Sequence, residues 1–282
     1  MPVTLRPALP PDQPALYRFI TSQNYIHRHL DWRDALEWLG REPFWLMEED
    51  AQISAVLACP PEPEEVAWVR LFAASARTSP DRAWNMLFEC ALKNLRQFSP
   101  RPAIVSLAMR EWYEDLLQRK GFTHHQDIVV FLFDQQPPAP PSLDPAIQVR
   151  EMEAQDLPEV YHIDSEAFEP IWRLSHDDLR FAYEKSTYCT VAERDGKIIG
   201  YSMSSSAGTY AHLARLAVAR SARGQRVGFG LLQQLLKELI EERGHWGVTL
   251  NTQHDNHDSL ALYHKAGFRE TGERFPVFIY PD

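Results

Sequence analysis

The chain repeats itself, and that repeat limits its architecture more than any other feature. Leu5-Arg6, Asp12, Pro14 and Tyr17 recur 144 positions later as Val149-Arg150, Asp156, Pro158 and Tyr161. At the same offset Phe44-Trp45-Leu46 ahead of Glu49 is matched by Tyr188-Cys189-Thr190 ahead of Glu193. Each run leads into an apolar stretch, around Ile53–Leu57 and Ile198–Tyr201. Near the ends, Lys120-Gly121-Phe122 answers Ala266-Gly267-Phe268. Three parallels in the same order point to a duplicated domain rather than one fold of 282 residues.

Between the copies lies Gln136-Pro137-Pro138-Ala139-Pro140-Pro141-Ser142, within a stretch holding five of the 21 prolines. Proline supplies no donor to a helix or a ladder, so this reads as an extended linker. The predicted domains are 1–135 and 147–282, joined by 136–146. In each copy a short strand (Val3–Leu5; Ile147–Val149) precedes a helical segment with Asp12 or Asp156 as its N-cap. A hairpin follows, turned in the second copy by Asp195-Gly196. Then come a strand, a long helix, a strand, a shorter helix and closing strands. The long helix is clearest in the second copy, where Leu231, Leu232, Leu235, Leu236, Leu239 and Ile240 keep helical spacing and Gly244 stops the run. The fold class expected is α/β (α+β): two tandem domains, each a mixed, partly parallel twisted sheet flanked by helices.

Charge and cysteine usage narrow the function. With 29 Lys+Arg against 39 Asp+Glu the net charge is −10, unsuited to the counterion displacement that nonspecific nucleic-acid binding requires. An acidic surface suits a cationic ligand, and it serves solubility equally well. No apolar run approaches the ~20 residues of a membrane span, and no secretory leader is legible at the start. Cys59, Cys90 and Cys189 lie far apart with no CxxC pair, so neither a disulfide framework nor a metal site is expected. A cytoplasmic protein without membrane or nucleic-acid partners fits these features.

Chemistry concentrates where Leu213–Val218 runs through Arg220, Arg223 and Arg226 into the leucine-rich helix. Gly224, Gly228 and Gly230 fall within seven residues. Such a loop turns several backbone N–H groups toward an anion at a helix N-terminus, where the dipole also favours negative charge. It is neither a P-loop nor GxGxxG. The alternative is a glycine-softened turn with surface arginines.

This region resembles the GNAT superfamily of acetyl-CoA-dependent N-acetyltransferases. Gln225-Arg226-Val227-Gly228-Phe229-Gly230 satisfies the family's Q/R-x-x-G-x-G/A. Registering on Leu231-Leu232 instead makes Arg223 the leading residue and puts Arg226 where the first glycine usually sits. Asn256, Ser259, Leu262-Tyr263 and Ala266-Gly267-Phe268 are similar to the family's N-x-x-A-x-x-L-Y-x-x-x-G-F. The resemblance spans 147–282 and implies acetyl-CoA as cosubstrate. Its diphosphate would lie on the amides of Arg223, Gly224, Gln225, Arg226, Val227, Gly228, Phe229 and Gly230. Its pantetheine arm would pair along Leu216, Ala217 and Val218, and Asn256 would contact it. Tyr263 matches the family's general acid, with packing of its ring as the alternative.

The base stays open. Asn251 stands where peptide-acetylating relatives carry Glu. His212 matches a second family position, and period-two alternation places it on one face with Ala214 and Leu216. His254, Asp255 or a water-mediated route are the alternatives. The acceptor, an amine-bearing small molecule or peptide, is expected along a helical segment Asp164–Arg180 holding Glu166, Phe168, Glu169 and Trp172, unless this is an ordinary amphipathic helix pair.

The first copy carries no glycine between Gly40 and Gly121. Its matching segment, Arg70 to Asp81, offers Pro80 and Asp81 where a phosphate would need a donor and no repelling charge, and Leu117 replaces the tyrosine. It reads as a degenerate copy without a coenzyme site. The functions expected are therefore an N-acetyltransferase acting through the second domain or, alternatively, a noncatalytic acyl-CoA-binding or scaffold protein; a longer acyl donor is a further possibility.

Overall fold

The computed structural model describes residues 3–137 and 143–281, so part of the proline-rich segment, 138–142, lies outside the described residues. It divides into two compact units, Met1–His125 with Phe275–Asp282 and Gln126–Arg274. These differ from boundaries at 135 and 147, because two strands pass from one unit into the other.

Unit 1 opens with β1 (Val3–Pro7), α1 (Gln13–Ser22) and β2 (Tyr25–Arg28), then β3 (Phe44–Glu49), β4 (Gln52–Ala58), β5 (Val66–Trp68) and β6 (Leu71–Ala74). After α2 (Pro80–Leu95) come β7 (Ala103–Leu107) and α3 (Glu111–Arg119). Five strands form an antiparallel sheet in the order β1-β3-β4-β6-β2. β5 pairs in parallel with β7. The apolar runs of β4 and β6 are buried because both faces are covered. Leu16, Phe19 and Ile20 of α1 pack on one side with Trp38, and Trp84, Leu87, Phe88 and Ala91 of α2 on the other.

β8 (Thr123–Phe133) leads into unit 2, which continues with β9 (Ile147–Glu151), α4 (Leu157–Ala167), α5 (His176–Lys185), β10 (Tyr188–Arg194), β11 (Lys197–Ala207) and β12 (Tyr210–Val218). Then come α6 (Val227–Leu236), β13 (Gly247–Gln253), α7 (His257–Lys265) and β14 (Arg269–Tyr280). The unit 2 sheet runs β8-β13-β12-β11-β10-β9, with β12 and β13 parallel and the other pairs antiparallel. Residues 128–133 of β8 pair with β13, while Val277–Tyr280 of β14 pair with β7. The last strand of each copy thus completes the sheet of the opposite unit.

The duplication is visible in side chains. Arg6 holds Asp12 at 2.8 Å and Glu48 at 2.7 Å; Arg150 holds Asp156 at 2.7 Å and Glu193 at 2.9 Å. Arg70 binds Asp31, and Arg215 binds Asp164 at 2.7 Å. The hairpin turns at Asp50-Ala51 and Asp195-Gly196 both have positive φ, as a type I′ turn requires.

Two expectations change. Asp12 and Asp156 occupy N-cap positions, yet neither side chain caps its helix. Each carboxylate instead turns back to its arginine and to a backbone N–H, of Leu9 or Glu153, at 2.8 Å. The long helix of the second copy is α-helical only to Leu236 and continues as a π-helix over Lys237–Glu242.

Candidate active site

Strand β12 does two things at once. Its first half pairs with both neighbours; beyond Leu213 its ladder to β13 ends, while that to β11 continues to Val218. A bulge at Ala214 separates the halves, since Met203 faces Arg215 while Ser204 faces Leu213. The two parallel strands part there, and Leu216, Ala217 and Val218 present an unpaired edge to a cavity of about 680 Å³.

The other end of the cavity is the N-terminus of α6. The first helical bond runs from Gly230 N–H to Arg226 carbonyl at 2.9 Å, and no side chain caps the turn. The amides of Val227, Gly228 and Phe229 are therefore left for an anion. Gly224 has φ +76°, and Arg226 itself adopts the left-handed conformation (φ 63°, ψ 11°) that the usual glycine takes without strain. Gly228 faces the cavity: a Cβ there would meet Leu262 at 3.3 Å, Val218 at 3.5 Å and Leu216 at 3.7 Å, all lining residues. An open edge beside uncapped amides, with Arg223 and Arg226 on the wall, fits an amide-bearing arm ending in a diphosphate.

Not every expected residue reaches this cavity. Arg223, Gly224, Arg226, Val227, Gly228, Phe229 and Asn256 line it; Gln225 and Gly230 do not. Gln225 braces the loop instead, donating to Ser221 carbonyl at 3.0 Å and accepting from Arg194. Gly230 is a packing position, where a Cβ would lie 2.7 Å from Leu143. Asn256 serves twice, lining the cavity and capping α7 by accepting from Ser259 N–H at 3.2 Å.

The acceptor segment is broken rather than continuously helical. α4 ends at Ala167, Pro170–Trp172 forms a 3-10 turn, and α5 starts at His176. Phe168, Glu169 and Trp172 line the cavity, while Glu166 turns away to His162 at 3.4 Å. Arg215, which the sequence reading passed over, fastens this turn. It binds buried Asp164, donates to Trp172 carbonyl at 2.8 Å and lies 3.9 Å over the Phe168 ring; Tyr201 hydroxyl also donates to Asp164. The arginine directly before a leucine at this place in both copies, Arg70-Leu71 and Arg215-Leu216, was the available signal.

Neither candidate catalytic side chain stands on the cavity wall. Tyr263 is buried against Phe131 and Phe268. Burial pushes its phenol up to about 12, and a hydrogen bond from Ser259, which does line the cavity, draws it partly back. His212 shares a 2.9 Å hydrogen bond between Nδ1 and Thr249 Oγ1. Burial lowers its pKa, opposed by a hydrogen bond with Asn251. Its face differs from the one expected. The bulge resets the alternation, so that His212 shares a face with Arg215, while Leu213 and Leu216 point to the α6 side. Gln126, Gln253, Asp258 and Lys265 line the cavity without a sequence signal of their own.

Unit 1 treats the same places differently. β2 pairs along β6 from Tyr25 opposite Ala74 to Arg28 opposite Leu71, occupying the edge that β12 leaves open. At the start of α2, Glu49 accepts from Thr78 at 3.0 Å and from Arg82 at 3.0 Å, and Asp81 sits in the first turn.

Residues 157–268 match the acetyltransferase (GNAT) family. A Bacillus subtilis (strain 168) protein, whose name assigns it provisionally as a ribosomal protein bS18-alanine N-acetyltransferase, is 29% identical over 129 residues, 45% of this chain and 83% of its own. Two solved structures share the fold across both units. A GCN5-related N-acetyltransferase from Sphaerobacter thermophilus has TM-score 0.67 at 18% identity, over 98% of this chain and 95% of that one. A tandem GNAT protein from the clavulanic acid biosynthesis pathway has TM-score 0.68 at 15% identity, over 99% and 98%. The family match is thus confined to 157–268, while the fold shared with these two structures extends over both units. Among the described residues, no helix is long and apolar enough to cross a membrane.

Proposed function

We propose that unit 2 is an acetyl-CoA-dependent N-acetyltransferase that transfers the acetyl group to a primary amine of a small molecule or peptide, and that unit 1 is a degenerate copy. The observation that carries this reading is the free edge Leu216–Val218 running into the uncapped start of α6. The opposite arrangement in unit 1, with β2 on β6 and Glu49 at α2, supports assigning the activity to unit 2 alone. The three cysteines are free, in keeping with a reducing cytoplasm.

When bound, acetyl-CoA supplies the thioester that the amine attacks. The chain's own residues do the rest. Edge groups of Leu216–Val218 align an amide-bearing arm, and the amides of Val227–Phe229 with Arg223 and Arg226 hold its phosphates. Amines near pKa 10 arrive as ammonium ions, so a proton must leave before attack. His212, kept neutral by burial, takes it through an intervening group; Asp255, on the wall itself, is the nearer alternative. Tyr263 keeps its proton at working pH and acts toward the departing thiolate through Ser259, its hydrogen-bond partner on the cavity wall. A phenol near 12 acts there chiefly as a hydrogen-bond donor.

Calorimetry with acetyl-CoA should give one site per chain, and thiol release with an amine panel should report transfer. No binding at millimolar acetyl-CoA would refute the reading. A second reading, noncatalytic acyl-CoA binding, is favoured by the position of Tyr263 and His212 off the wall. Binding without thiol release from any amine would select it.

A further inference from the structure

Gln126 belongs to unit 2, lines its cavity and is only 5% exposed, yet its carboxamide nitrogen has no hydrogen-bond partner. A dry, unpaired N–H donor is costly, and proteins retain few of them without a use. Three carboxylates line the same cavity, Glu169, Asp255 and Asp258, and none forms an ion pair among the described residues. Of the wall cations, Arg223 and Arg226 belong to the α6 end and Lys265 lies over the Phe229 ring at 5.6 Å, leaving these carboxylates for the second substrate. They suit an ammonium group; the carboxamide N–H suits a carbonyl oxygen.

Resting on the reading that unit 2 binds acetyl-CoA, we infer that Gln126 is a specificity residue that donates to a carbonyl next to the acceptor amine. The acceptor class is then an α-amino carbonyl compound, such as an amino amide or the amino end of a peptide, rather than a plain alkylamine or polyamine. The coenzyme arm also carries carbonyls, but its edge lies on β12, and β13 stands between that strand and β8.

The test titrates CoA-saturated protein calorimetrically with alaninamide and with isopropylamine, its carbonyl-free counterpart. Wild type should bind alaninamide about tenfold more tightly, the usual worth of one such hydrogen bond. Gln126→Leu should erase that preference and leave the affinities for CoA and isopropylamine unchanged. Gln126→Met, similar in length but lacking the donor, should do the same and covers the case in which the leucine variant does not fold. Equal affinities in wild type, or a preference that survives both variants, overturns the inference while leaving the acetyltransferase reading intact. Weakened CoA binding in the variants assigns the donor to the coenzyme and also overturns it. Failure of wild type to bind CoA removes the underlying reading and this inference together.

Discussion

Strands β6 and β12 start from the same plan and end in opposite states. Each has an arginine tied to an aspartate, Arg70 just ahead of β6 with Asp31 and Arg215 within β12 with Asp164, and each strand leads to a helix, α2 or α6. Each arginine also lies over a ring, Trp38 at 4.5 Å or Phe168 at 3.9 Å. Around β6 the chain closes the edge with β2, whose His27 donates from Nε2–H to Val69 carbonyl (2.9 Å) and stacks on Tyr113. Around β12 the corresponding stretch is the 3-10 turn at Pro170–Trp172, and the edge stays free. The two units share the anchors and differ at the edge. Ion-pair anchors are needed for the fold in both units, because losing one partner of a buried pair costs about 3–5 kcal/mol. An open strand edge is needed only where something binds.

That contrast can be broken most forcefully at Gly228. Gly228→Glu places a carboxylate between Leu262 and Val218, against the proposed phosphates, and should weaken acetyl-CoA binding more than 100-fold by calorimetry. Retained affinity would mean that the phosphates lie elsewhere.

Acidification should separate the units next. Burial lowers His27 from 6.5 to about 4 and lowers His29 as well. The unfolded chain therefore takes up these protons first, so stability is full above pH 6.5 and falls as pH drops toward 4. His27 alone accounts for about 3 kcal/mol of that loss. Six of the eight tryptophans belong to unit 1, so their fluorescence reports it. Denaturant midpoints by fluorescence should fall between pH 7 and pH 5, and His27→Gln should flatten the dependence. A pH-independent midpoint would contradict a neutral, buried His27.

The smallest expected effect concerns chemistry in unit 2. Tyr263→Phe should lower turnover about tenfold with unchanged acetyl-CoA affinity, the mark of a donor used during transfer. An unchanged rate would leave Tyr263 a packing residue against Phe131.

The sequence disclosed whatever depends on local pattern. The Asp195-Gly196 turn and the glycine loop are set by residues a few positions apart, and the repeat shows as short local runs that recur 144 positions later. The rest depended on pairings across long separations. Nothing near Ala214 announces a bulge, so the face of His212 was misread. Nothing in Tyr25–Arg28 announces a strand that seals β6, and nothing in Thr123–Phe133 says that its partner is β13. Gln126 could not be chosen from sequence, because its significance lies in a partner it lacks.

Backbone hydrogen exchange, followed with and without acetyl-CoA, probes the difference between the two edges directly. The account expects Leu71–Ala74 to be protected in both conditions, and Leu216–Val218 with Val227–Phe229 to gain protection only when acetyl-CoA is present. Protection gained at Leu71–Ala74, or at neither edge, would contradict it.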